Sequence, residues 1–393
     1  MYIELVEKEA KNLFNERGIM VVYITLFLLV VALGLMVQNK DYVQFHIGIP
    51  GGERGLQMPR DRQRASNICV VTVIFLLLAA VSACRIAVGN DYWVYRFQFN
   101  LIMQNRHVSY EAGFNLVVWI IQSIFGYDKY LPVFGFFSIV TVFFFVKAMY
   151  DQAEWFAATV FLFMTGGYYY SSLNSVRYYF VLAIAMYAMK YILRKQYGVF
   201  VAWIIFASFF HKSILVVIPV YLFAYWLAEH KIPKILYVIG GVFLVSMVLF
   251  QDFYRRIIFF FYPYYEGSVF DKVDISVTNI AKCMGVLVLC VIFYKVALGD
   301  SIQNRFYFFL SLAGFAVYTF GSFIPEVSRI GYYMIVSQCF LVPGVLMRIP
   351  EKKSRILWTV LVAIAFLGYF ALFLRSAYNV DIRLLPYLNW IFD

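Results

Sequence analysis

The chain has 393 residues, of which 63% are hydrophobic and 14% charged, with a formal net charge of +11. Soluble domains carry roughly 25% charged residues, so this composition excludes an ordinary soluble fold and predicts an all-α, polytopic membrane protein. The positive balance makes no nucleic-acid patch, because the basic residues fall mostly in short loops between apolar runs, where they fix orientation.

Residues 1–18 mix Glu4, Glu7, Glu9 and Glu16 with Lys8, Lys11 and Arg17, the pattern of an amphipathic interfacial helix rather than a cleavable leader. A span needs about 20 apolar residues. Such runs lie near 19–37, 68–88, 131–149, 155–172, 177–193, 198–210, 213–228, 235–250, 282–298, 306–324, 329–347 and 356–374, about 12 in a single domain over 19–374. The run 113–126 is too short for a span and carries Asn115 and Gln122, which predicts a re-entrant or interfacial helix. Basic clusters follow at 38–67, Lys190/Arg194/Lys195, Lys231/Lys234, Lys295/Arg305 and Arg348/Lys352/Lys353/Arg355. With 113–126 not crossing, alternation places all of these in the cytoplasm. The loops 89–130 and 251–281, both termini and the tail 375–393 then face outward. All five cysteines sit in apolar runs without paired spacing, as small core residues do.

The outward segments hold charge that hydrocarbon rejects. In RIAVGNDYWVYRF, Gly89 and Asn90 permit a tight turn, and Asp91 begins a helix with Tyr92, Tyr95, Arg96 and Phe99 at helical spacing. Asp91 reads as a helix cap or as a chemical group, and the two roles are compatible. Glu111 heads the short helix in YEAGF, where a carboxylate suits the helix dipole. His107 and Glu111, four apart, would suit a metal, but no third ligand stands near and no metal is expected. Arg177 and Arg329 each open an apolar run after SSLNSV and PEVS. Snorkelling explains either one, while two converging arginines would grip an anionic lipid headgroup through bidentate geometry. His211 stands beside Lys212 between two short runs, as a structural histidine or as a neutral imidazole beside a pyrophosphate. Gly-rich phosphate loops, HExxH and GxSxG are missing.

The order GNDYxxY, YEAGF, LNSVRYYFVLAIAMYA, FASFFHKSILVVIPVY, SRIGYY and LLPY resembles the EpsG family of bacterial exopolysaccharide proteins, related to the Wzy polymerases. Asn90 and Tyr178 stand where that pattern usually has Thr and Gln. The resemblance implies a membrane glycosyltransferase, open to a GT-C-like architecture, at the outer face of the bacterial inner membrane. It would transfer a glycan chain from undecaprenyl diphosphate to the non-reducing end of the next lipid-linked repeat. Donor and acceptor oligosaccharides, membrane lipid, a chain-length regulator and a flippase are the implied partners. Such chemistry needs a base, for which Asp91, Glu111 and His211 are candidates, Asp91 first for its aromatic setting. Arg177, Arg329, Lys212 and Arg85 are the candidate phosphate contacts, and Tyr92, Tyr95, Asn174 and Tyr332 the sugar contacts. No DxD motif is present, which favours metal-independent transfer without a cofactor. A lipid-linked oligosaccharide flippase or transporter competes, although transporters commonly show internal repeats and the two halves show no correspondence. A lipid-linked-glycan ligase shares the donor chemistry.

Overall fold

The computed structural model describes residues 20–37 and 60–391 except 107, 109, 262, 269–270, 272, 274, 300 and 379–382. The helix expected at 1–18, most of the loop 38–67 and His107 lie outside the described residues. The first half runs α1 (Val21–Met36), α2 (Arg60–Ala83), α3 (Tyr92–Met103), α4 (Ala112–Phe125), α5 (Leu131–Gln152), α6 (Phe156–Thr165) and the single turn α7 (Tyr168–Ser171). It continues with α8 (Val176–Leu193), α9 (Tyr197–Ser208), a 3-10 turn at Lys212–Val216 and α10 (Val217–Glu229). The second half is α11 (Lys234–Leu249), α12 (Gln251–Phe261), α13 (Val277–Ile292), α14 (Tyr294–Ala297), α15 (Ile302–Phe320), α16 (Val327–Ile335), α17 (Gln338–Met347) and α18 (Lys352–Ser376).

Every run expected to span holds a helix, but the count of about 12 crossings is not what the lengths give. Among the described residues, six helical segments are long and apolar enough to cross a membrane, and a seventh is reached only if α11 and α12, bent by 85°, count as one span. The shortfall is physical: α6, at 10 residues, is about 15 Å long, half the roughly 30 Å of hydrocarbon. The expected loop 251–281 likewise begins as helix α12.

The two most buried spans are Val176–Leu193, 78% buried over its apolar window, and Val327–Met347, 83% buried, against 11% for α18. These are the spans headed by Arg177 and Arg329. Helix α8 packs against α5 through Phe180 on Phe137 and Phe144, at 5.7 and 6.4 Å between ring centres. Ala183, Ala185 and Ala188 are fully buried, the small residues that let helices approach where lipid supplies no hydrophobic drive. Polar bonds cross the bundle as well: Gln152 Nε2 donates to the Met186 carbonyl at 2.9 Å and Tyr307 Oη to Gln152 Oε1 at 3.3 Å.

Charge segregates to two ends. At one end Asp151 joins Lys190 and Lys147 at 2.8 and 2.7 Å, Arg348 pairs with Glu154, and Lys195 with Glu229. At the other end lie the heads of α8 and α16 and the turn 89–91. Helix α4 begins and ends at this second end. Glu111 before it bonds Arg177, and Tyr130 beyond it lies 6.1 Å from Tyr92, ring to ring. Residues 383–390 tie back here too. Ile86 N–H donates to the Leu388 carbonyl, Trp390 N–H to that of Cys84 and Gly89 N–H to that of Arg383, at 2.9, 3.1 and 2.8 Å. Tyr387 Oη donates to the Val81 carbonyl at 2.9 Å, and Tyr23 Oη to that of Leu384 at 2.9 Å.

Candidate active site

The turn before α3 explains the first motif. Gly89 has φ +93°, and a Cβ there would come within 2.7 Å of Asn174 Cα and 2.8 Å of the Leu173 carbonyl, so only glycine lets the two segments touch. That contact brings Asn174 Oδ1 to the Asp91 N–H, which donates to it at 3.0 Å. Asp91 occupies the N-cap position of α3, yet its side chain makes no cap hydrogen bond. The carboxylate instead faces Ser175, Arg329 and Arg177.

A cavity of about 730 Å³ opens beside it, lined by Asn90, Asp91, Asn174, Tyr178, Arg329 and Tyr332 among others. Both departures from the family pattern, Asn90 and Tyr178, therefore line it. Arg329 is held at the head of α16 by two tyrosine hydroxyls: Tyr178 Oη donates to the Arg329 carbonyl at 2.6 Å and Tyr318 Oη to that of Ser328 at 3.2 Å. Gly331 is required for this, since a Cβ there would lie 2.4 Å from the Tyr318 ring. The Arg329 side chain is 31% exposed, with Nε 3.0 Å from Glu326 Oε2. Its Nη groups have no hydrogen-bond partner among the described residues. Glu326 itself sits in the left-handed region at φ 54°, an arrangement that usually accompanies function when a side chain bears it.

A second layer lies behind the cavity wall. Arg177 pairs with Glu111 Oε2 and stacks its guanidinium 3.6 Å from the Tyr110 ring centre. Glu111 Oε1 accepts from the Lys212 backbone N–H at 3.0 Å. His211 rests edge-on against Tyr178 at 5.9 Å, its Nδ1 in a hydrogen bond with Ser213 Oγ at 2.9 Å, and Ser213 in turn bonds Tyr333 Oη at 2.9 Å. The Ser213 N–H also donates to Nδ1 at 3.4 Å, which leaves the ring proton on Nε2. Tyr95 Oη accepts from the Arg177 N–H at 3.4 Å, and Tyr92 stacks on Phe134 at 4.5 Å; both tyrosines are buried scaffold. Arg85 is 1% exposed and donates to Ser138 Oγ at 2.6 Å, away from the cavity.

The electrostatics follow from burial. Desolvation pushes the Asp91 carboxyl above its ordinary value, against the opposing pull of Arg329, Ser175 and Arg177. Desolvation first, then Arg177 and Arg329, pull the His211 imidazole down to about 3. His211 is therefore neutral at physiological pH. Of the sequence-derived candidates, Asp91, Asn174, Arg329 and Tyr332 meet in the cavity. Glu111, Arg177, Lys212 and His211 form the layer behind, and Arg85, Tyr92 and Tyr95 pack outside it. No cluster of three metal-ligating side chains occurs among the described residues. Sequence reasoning passed over Ser276, Thr278, Asn279, Tyr369 and Ser376, all in the cavity wall. Ser276, Thr278, Asn279 and Ser376 signalled only by polarity near the ends of apolar runs, and Tyr369 lies inside one, where a tyrosine carries no signal.

Residues 68–389 match the EpsG family. The chain belongs to the EpsG family. No curated protein and no solved structure matches it. The matched region begins inside α2 and runs through the segment that closes on residues 84–89, so all the site just described lies within the EpsG family match. The chain is thus a multi-pass, all-helical EpsG-family membrane protein.

Proposed function

We propose that this EpsG-family protein is a metal-independent polysaccharide polymerase of exopolysaccharide or O-antigen type. It would transfer the growing chain from undecaprenyl diphosphate to the non-reducing end of the next lipid-linked repeat, at the outer face of the bacterial inner membrane. The supporting observation is a half-buried carboxylate that does not cap its helix, Asp91, sharing one cavity with the open guanidinium of Arg329, at the end opposite the basic loops. In the proposed step the acceptor hydroxyl attacks the anomeric carbon as the bond to the diphosphate oxygen breaks. The hydroxyl proton passes to Asp91, and the bonding electron pair leaves on the diphosphate, beside Arg329. A charged clamp of this kind replaces a general acid for a leaving group that is already stable. Asn174 orients the Asp91 backbone, Tyr332 faces the sugars, and Arg177 holds Glu111, Lys212 and the His211 turn in place.

The test is the purified chain in liposomes with a lipid-linked single repeat. A ladder of lipid-linked oligomers is the expected product. In cells lacking the chain, single repeats should collect on the outer leaflet. Single repeats held on the inner leaflet would identify a flippase, and transfer to a foreign acceptor without oligomers a ligase; either result would overturn the polymerase reading.

A further inference from the structure

Lys282 lies in the apolar helix α13, five residues after its first residue Val277, about 7–8 Å along the axis. A lysine in an apolar helix at membrane depth is costly, by about 2.5–3.5 kcal/mol at a span's centre and less toward its ends, and is a functional candidate by default. Among the described residues it has no carboxylate partner. Its ammonium is boxed by the rings of Tyr369, Tyr168 and Tyr332, at 4.6, 5.4 and 5.7 Å. The Tyr168 hydroxyl in this box is buried without a hydrogen-bond partner.

The hydrogen bonds around Lys282 have a direction. Nζ donates to Tyr369 Oη at 3.4 Å, Tyr369 Oη donates to Asn279 Oδ1 at 3.3 Å, and Asn279 Nδ2 donates to Ser276 Oγ at 2.9 Å. Each proton points away from the ammonium, and the chain ends on Ser276 in the cavity wall. Asn279, Tyr332, Tyr369 and Ser276 all line the cavity, together with apolar Leu372 and Phe373. A chain of donors backed by a cation, each bond polarising the next, presents a wall suited to an acceptor-only, anionic ligand, with an apolar strip beside it.

We propose that Lys282 is a positioning residue of the inner end of the cavity, acting through Tyr369 and Asn279 on a prenyl diphosphate whose chain lies along Leu372 and Phe373. This rests on the proposed polymerase reading. Arg329 takes the phosphate nearer the sugar, and the Lys282 chain the phosphate nearer the prenyl group.

The test measures binding of farnesyl diphosphate and of farnesol to the full-length chain in phosphatidylcholine nanodiscs. Lys282→Met should weaken farnesyl diphosphate by about 10- to 100-fold, the range of a lost charged hydrogen bond, and leave farnesol unchanged. Lys282→Arg should restore most of the loss. Tyr369→Phe, which keeps the charge and breaks the chain, should fall between, and it carries the test should Lys282→Met not fold. Wild-type affinity in folded Lys282→Met, or equal loss of farnesol, would overturn the assignment and leave the polymerase reading intact. A wild-type chain that binds no prenyl diphosphate would overturn both. Displacement by phosphatidylglycerol as effective as by inorganic pyrophosphate would identify an ordinary bilayer headgroup and overturn the proposal.

Discussion

At Asp91 a carboxylate occupies a cap position without capping, and that separates chemistry from scaffold. A lost cap costs about 0.5–2 kcal/mol of stability, whereas a lost base lowers turnover by roughly 10²–10⁴-fold. Burial raises the Asp91 carboxyl, so folding penalises the charged form relative to the unfolded chain. Asp91→Asn should therefore leave the melting temperature unchanged or higher while polymer formation nearly stops. The acid limb of kcat/KM should lie above the ordinary carboxylate value. A melting temperature that falls in step with activity would return Asp91 to the scaffold. His211 gives the opposite pH dependence. Its folded pKa of about 3 lies below the ordinary imidazole value of 6.5, so the unfolded chain binds a proton that the fold refuses. This contribution to stability is complete above about 6.5 and is lost as pH falls from there toward 3. His211→Gln, which stays neutral, should flatten that decline in a series of melting curves between pH 7 and 4.5. Parallel curves for the two proteins would place the acid sensitivity elsewhere.

Among the elements, α8 carries both ends of the argument: Arg177 at its head and Lys190 near its foot. The Lys190 side chain is 6% exposed and shares Asp151 with Lys147. Removing one partner of a buried pair is costly because the other charge is left behind, by about 3–5 kcal/mol in fully buried cases. Asp151→Ala strands Lys190 among Tyr187 and Tyr191, whereas Lys190→Met leaves Asp151 its bond to Lys147. The first should lower the melting temperature in detergent clearly more than the second, and equal effects would count against this reading. Helix positions were legible because apolar runs of this density have few other folds. Helix length was not always legible. The run at 155–172 holds a helix of only 10 residues, since Gly166 and Gly167 end it early. Arg85 read as a phosphate contact in the sequence because nothing local reveals that Ser138, 53 residues on, accepts its hydrogen bond.

Over the whole molecule, the conspicuous motifs of the sequence converge on one place. Each is explained by another: GND by Asn174, YEAG by Arg177 and Lys212, SRIGYY by Tyr178 and Tyr318. Order and spacing in the chain disclosed the motifs, and only the fold discloses that Asp91 and Arg329 share a cavity while Glu111 does not. The LLPY segment, expected as an outward tail, is a fastener for the turn 84–89. Tyr23→Phe with Tyr387→Phe removes two of its bonds, each worth about 0.5–1.5 kcal/mol. Hydrogen exchange at residues 86–91 should rise and turnover should drop, with α8 still protected; unchanged exchange in that turn would disprove the fastening role. The fastener also sets a clock for biogenesis. Tyr387 and Val81 are 306 residues apart in the chain, which at 5–20 residues per second is about 15–60 s of translation. Until then the turn that carries Asp91 is unclamped in the growing chain, and it closes only once the late segment has docked.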